Sequence, residues 1–236
     1  DFLTGGLGGT FADFNTADYN SDASGGITAV MSTTGTVTGD ASVGTDTLVG
    51  IDRIFGSDFA DTFTIDNLHS ANFGDFIEIE GQGGNDTITG NGGTRIGFIR
   101  AEAGVTVDLG AGTAIGDASV GTDTFTGVNQ VRGSNFGDTL IGSDGTDFES
   151  FRGQAGDDFI DGGGGTNDRA DYLNSISGVT INLSLGSTIS VGDGFGNTDT
   201  LTNIERLRGS GFDDTLTGDA NRSEEHTSEL QSPDHL

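Results

Sequence analysis

The chain of 236 residues contains no cysteine, which excludes disulfide bonds and thiolate-bound zinc as sources of stability. It carries 37 acidic residues and nine basic ones, all of them arginine, for a net charge of −28. This charge excludes electrostatic attraction to nucleic acid or anionic lipid, and it favours divalent cations as partners. No apolar run is long enough to predict a membrane span.

A long repeat organises the chain. Its clearest marker is Thr-Asp-Thr, whose aspartates Asp46, Asp123 and Asp199 are 77 and 76 residues apart. Each repeat begins with an alternating apolar and polar segment that predicts a half-buried strand. These segments are Gly26–Met31, Gly104–Leu109 and Gly178–Leu183. A period of this length predicts an array of units that each contain several short coils, and the absence of a 3.6-residue pattern argues against helices.

Eight aspartates share one rule, which is a large apolar residue two positions later. They are Asp46, Asp61, Asp86, Asp123, Asp138, Asp158, Asp199 and Asp214. Two positions along a strand return a side chain to the same face, so the apolar residue is predicted to enter a core. The aspartates themselves fit either of two roles, a turn-ending Asx residue or a metal ligand. Three phenylalanines two positions before an aspartate, Phe59, Phe136 and Phe212, are predicted to face the same core.

Two glycine-rich stretches carry the strongest motif. Gly81–Arg95 reads GQGGNDTITGNGGTR, and Gly153–Tyr172 reads GQAGDDFIDGGGGTNDRADY. Both resemble the nonapeptide G-G-x-G-x-D-x-U-x of the RTX, or haemolysin-type, calcium-binding repeat proteins. Glycine permits the tight loop, and aspartate supplies a hard oxygen ligand.

The resemblance implies an all-β fold, a right-handed parallel β-roll or β-helix, with calcium between stacked loops. Each 76–77-residue repeat is expected to contain several short coils. Carried over residue by residue, the implied carboxylate ligands are Asp86 and Asp158, with Asp138, Asp147, Asp61 and Asp75 in weaker context. The implied carbonyl ligands are Gly83, Gly84, Gly156, Gly163 and Gly165, and further oxygen ligands are Asn167 and Asp168. Arg95 stands where another aspartate would be, so it is predicted to pair with a neighbouring carboxylate.

The predicted solenoid covers residues 1–221, in units of roughly 1–80, 81–152 and 153–221. The last fifteen residues, Arg222–Leu236, break every preceding pattern and resemble a translated sequencing adapter, so they are left out of the fold. The chain also begins within a motif at Asp1, which leads us to expect an internal fragment of a longer protein.

By resemblance, we expect a non-enzymatic segment of a secreted or surface protein, such as an adhesin, toxin or exoenzyme, exported by type I secretion. Calcium would act as a structural staple coupled to folding, and neighbouring repeats would be the other partners. The alternatives are a fragment of a polysaccharide-active β-helix enzyme and a passive acidic solenoid whose charge reflects adaptation to salt. A third alternative is an ice-binding threonine surface at Thr-Asp-Thr, but such a surface needs a threonine pair on nearly every coil, whereas this motif recurs only every 76–77 residues.

Overall fold

The computed structural model describes residues 1–4, 15–21, 23–66, 76–186 and 188–218. The C-terminal tail and the predicted ligand Asp75 lie outside these residues. Within them, the regular structure consists of strands and one short 3-10 turn at Leu183–Leu185. The prediction of an all-β chain is therefore confirmed.

The described strands are, in chain order, β1 (Phe2–Thr4), β2 (Thr16–Asp18), β3 (Thr28–Met31), β4 (Gly35–Thr38), β5 (Thr45–Val49), β6 (Arg53–Phe55), β7 (Thr62–Ile65), β8 (Ile77–Glu80), β9 (Thr87–Gly97), β10 (Thr106–Asp108), β11 (Thr113–Ile115), β12 (Thr122–Arg132), β13 (Thr139–Ile141), β14 (Glu149–Arg152), β15 (Phe159–Asp161), β16 (Asp168–Asp171), β17 (Thr180–Asn182), β18 (Thr188–Gly192), β19 (Thr198–Thr202), β20 (Arg206–Arg208) and β21 (Thr215–Thr217).

Most of these strands pair in parallel, in two stacks that we call sheet one and sheet two. Sheet one has the order β1-β5-β4-β3-β7-β9-β12-β11-β10-β13-β15-β19-β18, and sheet two has the order β2-β6-β8-β9-β12-β14-β16-β20. The long strands β9 and β12 contribute to both sheets, while β17 and β21 pair separately. Each pass of the chain through sheet one and then sheet two forms one coil.

The mostly parallel sheet agrees with the expected β-roll, with one antiparallel interruption in each repeat. In each repeat an antiparallel strand lies next to the Thr-Asp-Thr strand, namely β4 beside β5, β11 beside β12 and β18 beside β19. The predicted strands at the start of each repeat correspond to β3, β10 and β17, and the short loops after them allow the chain to reverse. Parallel neighbours instead require a longer crossover connection.

The core lies on the inward faces of the two sheets. The apolar residue two positions after each aspartate is buried in seven of eight cases and half-buried at Leu216, so this prediction is confirmed. The prediction for the three phenylalanines is wrong, because Phe59, Phe136 and Phe212 are 45%, 46% and 56% exposed. The N–H of each phenylalanine binds the hydroxyl of a serine two residues earlier. That local turn removes the strand alternation on which the prediction depended.

A buried charge cluster lies on the other face of sheet two. Arg53 Nε is 2.9 Å from Glu78 Oε1, Arg132 Nη1 is 3.3 Å from the same oxygen, and Arg95 Nε donates to Glu78 Oε2 at 2.6 Å. The predicted pairing of Arg95 with a carboxylate is thus confirmed. Burial acts to raise the pKa of Glu78, but the three arginines together hold it below its usual value.

Four strands further along sheet two, on β16, Asp171 has a similar environment. Its carboxylate lies 2.6 Å from Arg152 Nη2, 3.6 Å from Arg169 Nη2 and 3.8 Å from Arg208 Nη1. Burial opposes ionisation of Asp171 as well, and the arginines still hold its pKa below the usual value. Each carboxylate therefore neutralises arginines from adjacent coils.

Replacing Glu78 by glutamine is expected to destabilise the fold by about 3–5 kcal/mol, since buried Arg95 and half-buried Arg53 and Arg132 lose the carboxylate that they share. Urea denaturation followed by circular dichroism measures the change. Glu102→Gln is the control, because Glu102 is exposed. Equal midpoints for the two variants would show that the cluster contributes nothing to stability.

Candidate functional site

The eight aspartates of the repeat form one structural set, which we call the aspartate ladder. Seven of them are buried, and Asp214 is half-buried. Seven of them lie at the beginning of sheet-one strands, and Asp214 precedes β21. Strand alternation places each aspartate and the apolar residue two positions later on the same inward side. The ladder thus lies at one corner of the coil, where the chain enters sheet one.

Each ladder carboxylate accepts a backbone hydrogen bond from a neighbouring strand. The N–H of Asp61 donates to Asp86 Oδ1 at 2.8 Å, and the N–H of Asp86 donates to Asp123 Oδ1 at 2.9 Å. The next repeat shows the same chain of bonds, from Val105 to Asp138, from Asp138 to Asp158 and from Asp158 to Asp199, at 2.8, 2.8 and 3.1 Å. The aspartates therefore satisfy backbone donors at the corner and hold adjacent coils in register.

The environment of the second carboxylate oxygen differs among the coils. In Asp46 and Asp199 it accepts a hydrogen bond from a tyrosine hydroxyl, that of Tyr19 at 3.1 Å and that of Tyr172 at 3.0 Å. In three coils a serine four residues earlier donates to the aspartate, as when Ser134 N–H binds Asp138 Oδ2 at 2.7 Å and its hydroxyl binds Oδ1 at 2.8 Å. In the two nonapeptide coils this residue is glutamine, Gln82 or Gln154, with φ of 70° and 79°. Oδ2 of Asp86 and of Asp158 is then buried without a hydrogen-bond donor.

This difference accounts for the protonation of the ladder. Burial, together with the nearby Asp123, raises the pKa of Asp86 to about 9, and burial with the nearby Asp199 raises the pKa of Asp158 to about 9. Burial also raises the pKa of Asp138, but only to about 6, because Ser134 and a backbone N–H stabilise its ionised form. At neutral pH the two nonapeptide aspartates are therefore protonated.

The structure places the predicted ligands in four different environments. Asp61, Asp86, Asp138 and Asp158 belong to the buried ladder, which favours a hydrogen-bonding role over ligation. Asp147 is exposed in the bend before β14. Gly83, Gly84 and Gly156 pack against the backbone of an adjacent coil, at Asp58, Phe59 and Phe136 respectively. Only Asn167, Asp168, Gly163 and Gly165 lie together.

This last group, around Asp168, lies at the opposite corner of the coil, where the chain enters sheet two. We call this region the acidic corner, and it comprises Glu149, Asp161, Asn167, Asp168 and Glu205. Strand register places Glu149 beside Asp168, and the N–H of Asp168 donates to Glu205 Oε2 at 3.3 Å. Asp168 is 1% exposed, and neither of its carboxylate oxygens has a donor. Burial, with Glu149 and Glu205 nearby, raises its pKa to about 7.

The corner is rich in oxygen because glycine brings the backbone close. A Cβ on Gly165 would lie 2.6 Å from Asp168 Oδ2 and 2.8 Å from the carbonyl oxygen of Gly145. Asn167 Oδ1 is also buried without a donor. Carboxylate, amide and carbonyl oxygens are the ligands that calcium takes in proteins, so the residues present fit that ion. Among the described residues, however, no three acidic or histidine side chains already converge as a metal-binding group.

Sequence reasoning missed Glu149 and Glu205, because neither lies in a glycine motif. The available signal was their position at the start of a sheet-two strand, since Glu149 and Asp168 begin β14 and β16 and Glu205 directly precedes β20. Comparison with protein-family models and with curated proteins finds no match to the chain. In the described part of the chain, no helix has the length and apolar character needed to cross a membrane.

Gly153→Ala is expected to destabilise the protein by about 1–3 kcal/mol, because the added methyl group would overlap Asp158 Oδ2 in a closely packed corner. Gly211→Ala is the matched control, since a Cβ there meets no atom within 4 Å. Denaturant unfolding measures the change in the free energy of unfolding for both variants. If the two free energies of unfolding change equally, the ladder does not need glycine at this position.

In the presence of a chelator, the free energy of unfolding is expected to fall as the pH rises from about 5 to 9. The folded-state pKa values of Asp86 and Asp158, about 9, exceed the ordinary aspartate value of 3.8. The folded chain therefore binds more protons than the unfolded chain over this range, and stability is lost as these groups ionise. Denaturant unfolding at several pH values measures the slope.

The double variant Asp86→Asn with Asp158→Asn is expected to flatten that slope, because asparagine keeps the accepting oxygen but does not titrate in this range. The exposed Asp213→Asn serves as the control. An unchanged slope in the double variant would mean that other groups set the pH dependence.

Proposed function

We propose that the chain is a calcium-binding β-solenoid segment and that its principal cation site is the acidic corner. The observation that carries this proposal is the Asp168 carboxylate, which is buried with both oxygens lacking donors. An unpaired buried carboxylate is costly unless it is protonated or coordinates a cation. With Glu149 and Glu205 beside it, a divalent cation would offset the negative charge that gathers around Asp168.

Within the corner, Asp168, Glu149 and Glu205 would supply carboxylate oxygens and Asn167 an amide oxygen. The glycines Gly163 and Gly165 would allow backbone carbonyls to approach. The ion is held as a structural element rather than as a catalytic one. A polysaccharide-active cleft would need a basic partner beside its carboxylates, but Arg95 binds Glu78 and Arg100 binds Asp18. These contacts support a non-enzymatic role.

Folding would then depend on the calcium concentration of the surrounding medium. A site filled at about a hundred times its dissociation constant adds about 2.7 kcal/mol to the folded state. Together with the resemblance to RTX repeats, this favours a segment that stays unfolded at low calcium and folds outside the cell, within a secreted or surface protein. Calcium and adjoining repeats of the same polypeptide are its proposed partners.

Isothermal calorimetry of the chelator-stripped chain tests the proposal. Calcium is expected to bind and to raise the melting temperature, with magnesium at equal ionic strength having less effect. Asp168→Asn, combined with Glu149→Gln, is expected to weaken calcium binding at least about tenfold, or about 1.4 kcal/mol. Asp213→Asn, an exposed position away from the corner, is expected to bind as the unaltered chain does.

Calcium binding by the chain and its location at the acidic corner are tested by different results. If the unaltered chain neither binds calcium nor gains stability from it, the calcium function is wrong. If calcium binds the Asp168 and Glu149 double variant with unchanged affinity, the function stands but the site lies elsewhere.

A further inference from the structure

The outward face of sheet one carries an ordered threonine surface that the sequence does not reveal. Across six adjacent strands, register aligns two outward positions per strand, and we call this set the threonine lattice. Its members are Thr45 and Thr47 on β5, Thr38 and Thr36 on β4, Thr28 and Val30 on β3, Thr62 and Thr64 on β7, Thr87 and Thr89 on β9, and Thr124 and Thr126 on β12. Eleven of the twelve positions hold threonine.

In the sequence, Thr-Asp-Thr recurs too rarely to form a regular threonine surface, but the folded sheet places threonine pairs from other strands between its copies. The Thr-Asp-Thr motif supplies both lattice threonines of β5 but only Thr124 of β12. The intervening strands supply their own pairs from unrelated motifs, such as Thr62 and Thr64 after Asp61 or Thr36 and Thr38 on the antiparallel strand. A threonine pair therefore lies on every strand except β3, which has Thr28 and Val30.

The lattice has regular dimensions. Two residues along a strand span about 6.6–6.8 Å, and adjacent strands lie about 4.7–4.9 Å apart, so six strands extend about 24 Å from first to last. Threonine is β-branched and has restricted χ1 rotation, which orders its hydroxyl and methyl groups. Ten of the twelve side chains are exposed, and Thr47 and Thr64 are half-buried.

The composition of the lattice differs from that of the rest of the chain. No member is charged or aromatic, although the chain has a net charge of −28 and 19% charged residues. Strand propensity alone favours threonine at exposed positions. Yet the later sheet-one strands interrupt the pattern. Their outward positions pair Thr113 with Ile115, Thr106 with Asp108 and Thr139 with Ile141, and β15 has Phe159 and Asp161. Propensity therefore does not require a lattice in this sheet.

We propose that the threonine lattice binds the surface of ice. A rigid, uncharged array of hydroxyl and methyl groups at constant spacing suits a partner that is itself a repeating lattice of water. Many weak contacts can then form at once without an ordering cost in the protein. A polysaccharide surface would be favoured by aromatic or charged side chains, and this patch has neither. The inference does not depend on the proposed calcium site.

Thermal hysteresis of the full chain, measured by nanolitre osmometry with and without calcium, tests the proposal. Faceted ice crystals and a freezing-point depression beyond the colligative value are expected. Thr87→Tyr, at the centre of the lattice, is expected to lose most of this activity, and Thr62→Tyr is expected to do the same. Thr106→Tyr is the matched control, because Thr106 is exposed on β10 of the same sheet but outside the lattice.

Circular dichroism and the melting temperature establish that each variant is folded, and tyrosine is well tolerated on exposed strands. Absence of hysteresis in the folded, unaltered chain overturns the proposal, as does equal loss in Thr87→Tyr and Thr106→Tyr. Sedimentation with crystalline cellulose that Thr87→Tyr abolishes, without any effect on ice, would assign the face to polysaccharide instead. Hysteresis in a chain that does not bind calcium would support this inference while contradicting the calcium function.

Discussion

The hydrogen bond from the backbone N–H of one strand to the aspartate carboxylate of the next fixes the stacking of the coils. It satisfies a donor at a corner, where the chain is no longer parallel to its neighbour and a carbonyl partner is not available. The carboxylate fits there because a glycine lies five residues earlier, as Gly81 does for Asp86 and Gly153 for Asp158. This contact sets the register of both sheets, and the register aligns the side chains of adjacent strands on the sheet surfaces.

The same contact explains why the nonapeptide coils differ from the others. Serine at the fourth position before the aspartate stabilises an ionised carboxylate, as Ser134 does for Asp138. Glutamine at that position leaves Asp86 and Asp158 with an unpaired oxygen, and they remain protonated at neutral pH. Protonation at the ladder and cation binding at the acidic corner would each neutralise carboxylates that are buried in a strongly acidic chain.

The outer faces of the two sheets have opposite chemistry. On sheet two, arginines and carboxylates from successive coils neutralise one another around Glu78 and Asp171. On sheet one, the outward positions of the threonine lattice carry no charge. Most of the described arginines lie on the strands of sheet two, which leaves the lattice as an uncharged and regular surface.

The sequence by itself determined the repeat, the all-β class and the core, because strand alternation is local. The apolar residue two positions after each aspartate, such as Ile88 or Ile160, could be assigned to the core from spacing alone. Local turn chemistry already limited this reasoning at Phe136, where a serine removes the alternation. Only the tertiary structure decided which way the aspartates face, how Glu149 and Glu205 join Asp168, and that Thr62, Thr87 and Thr124 lie side by side. These are contacts between coils, and their residues are separated by insertions of unequal length, so strand register alone brings them together.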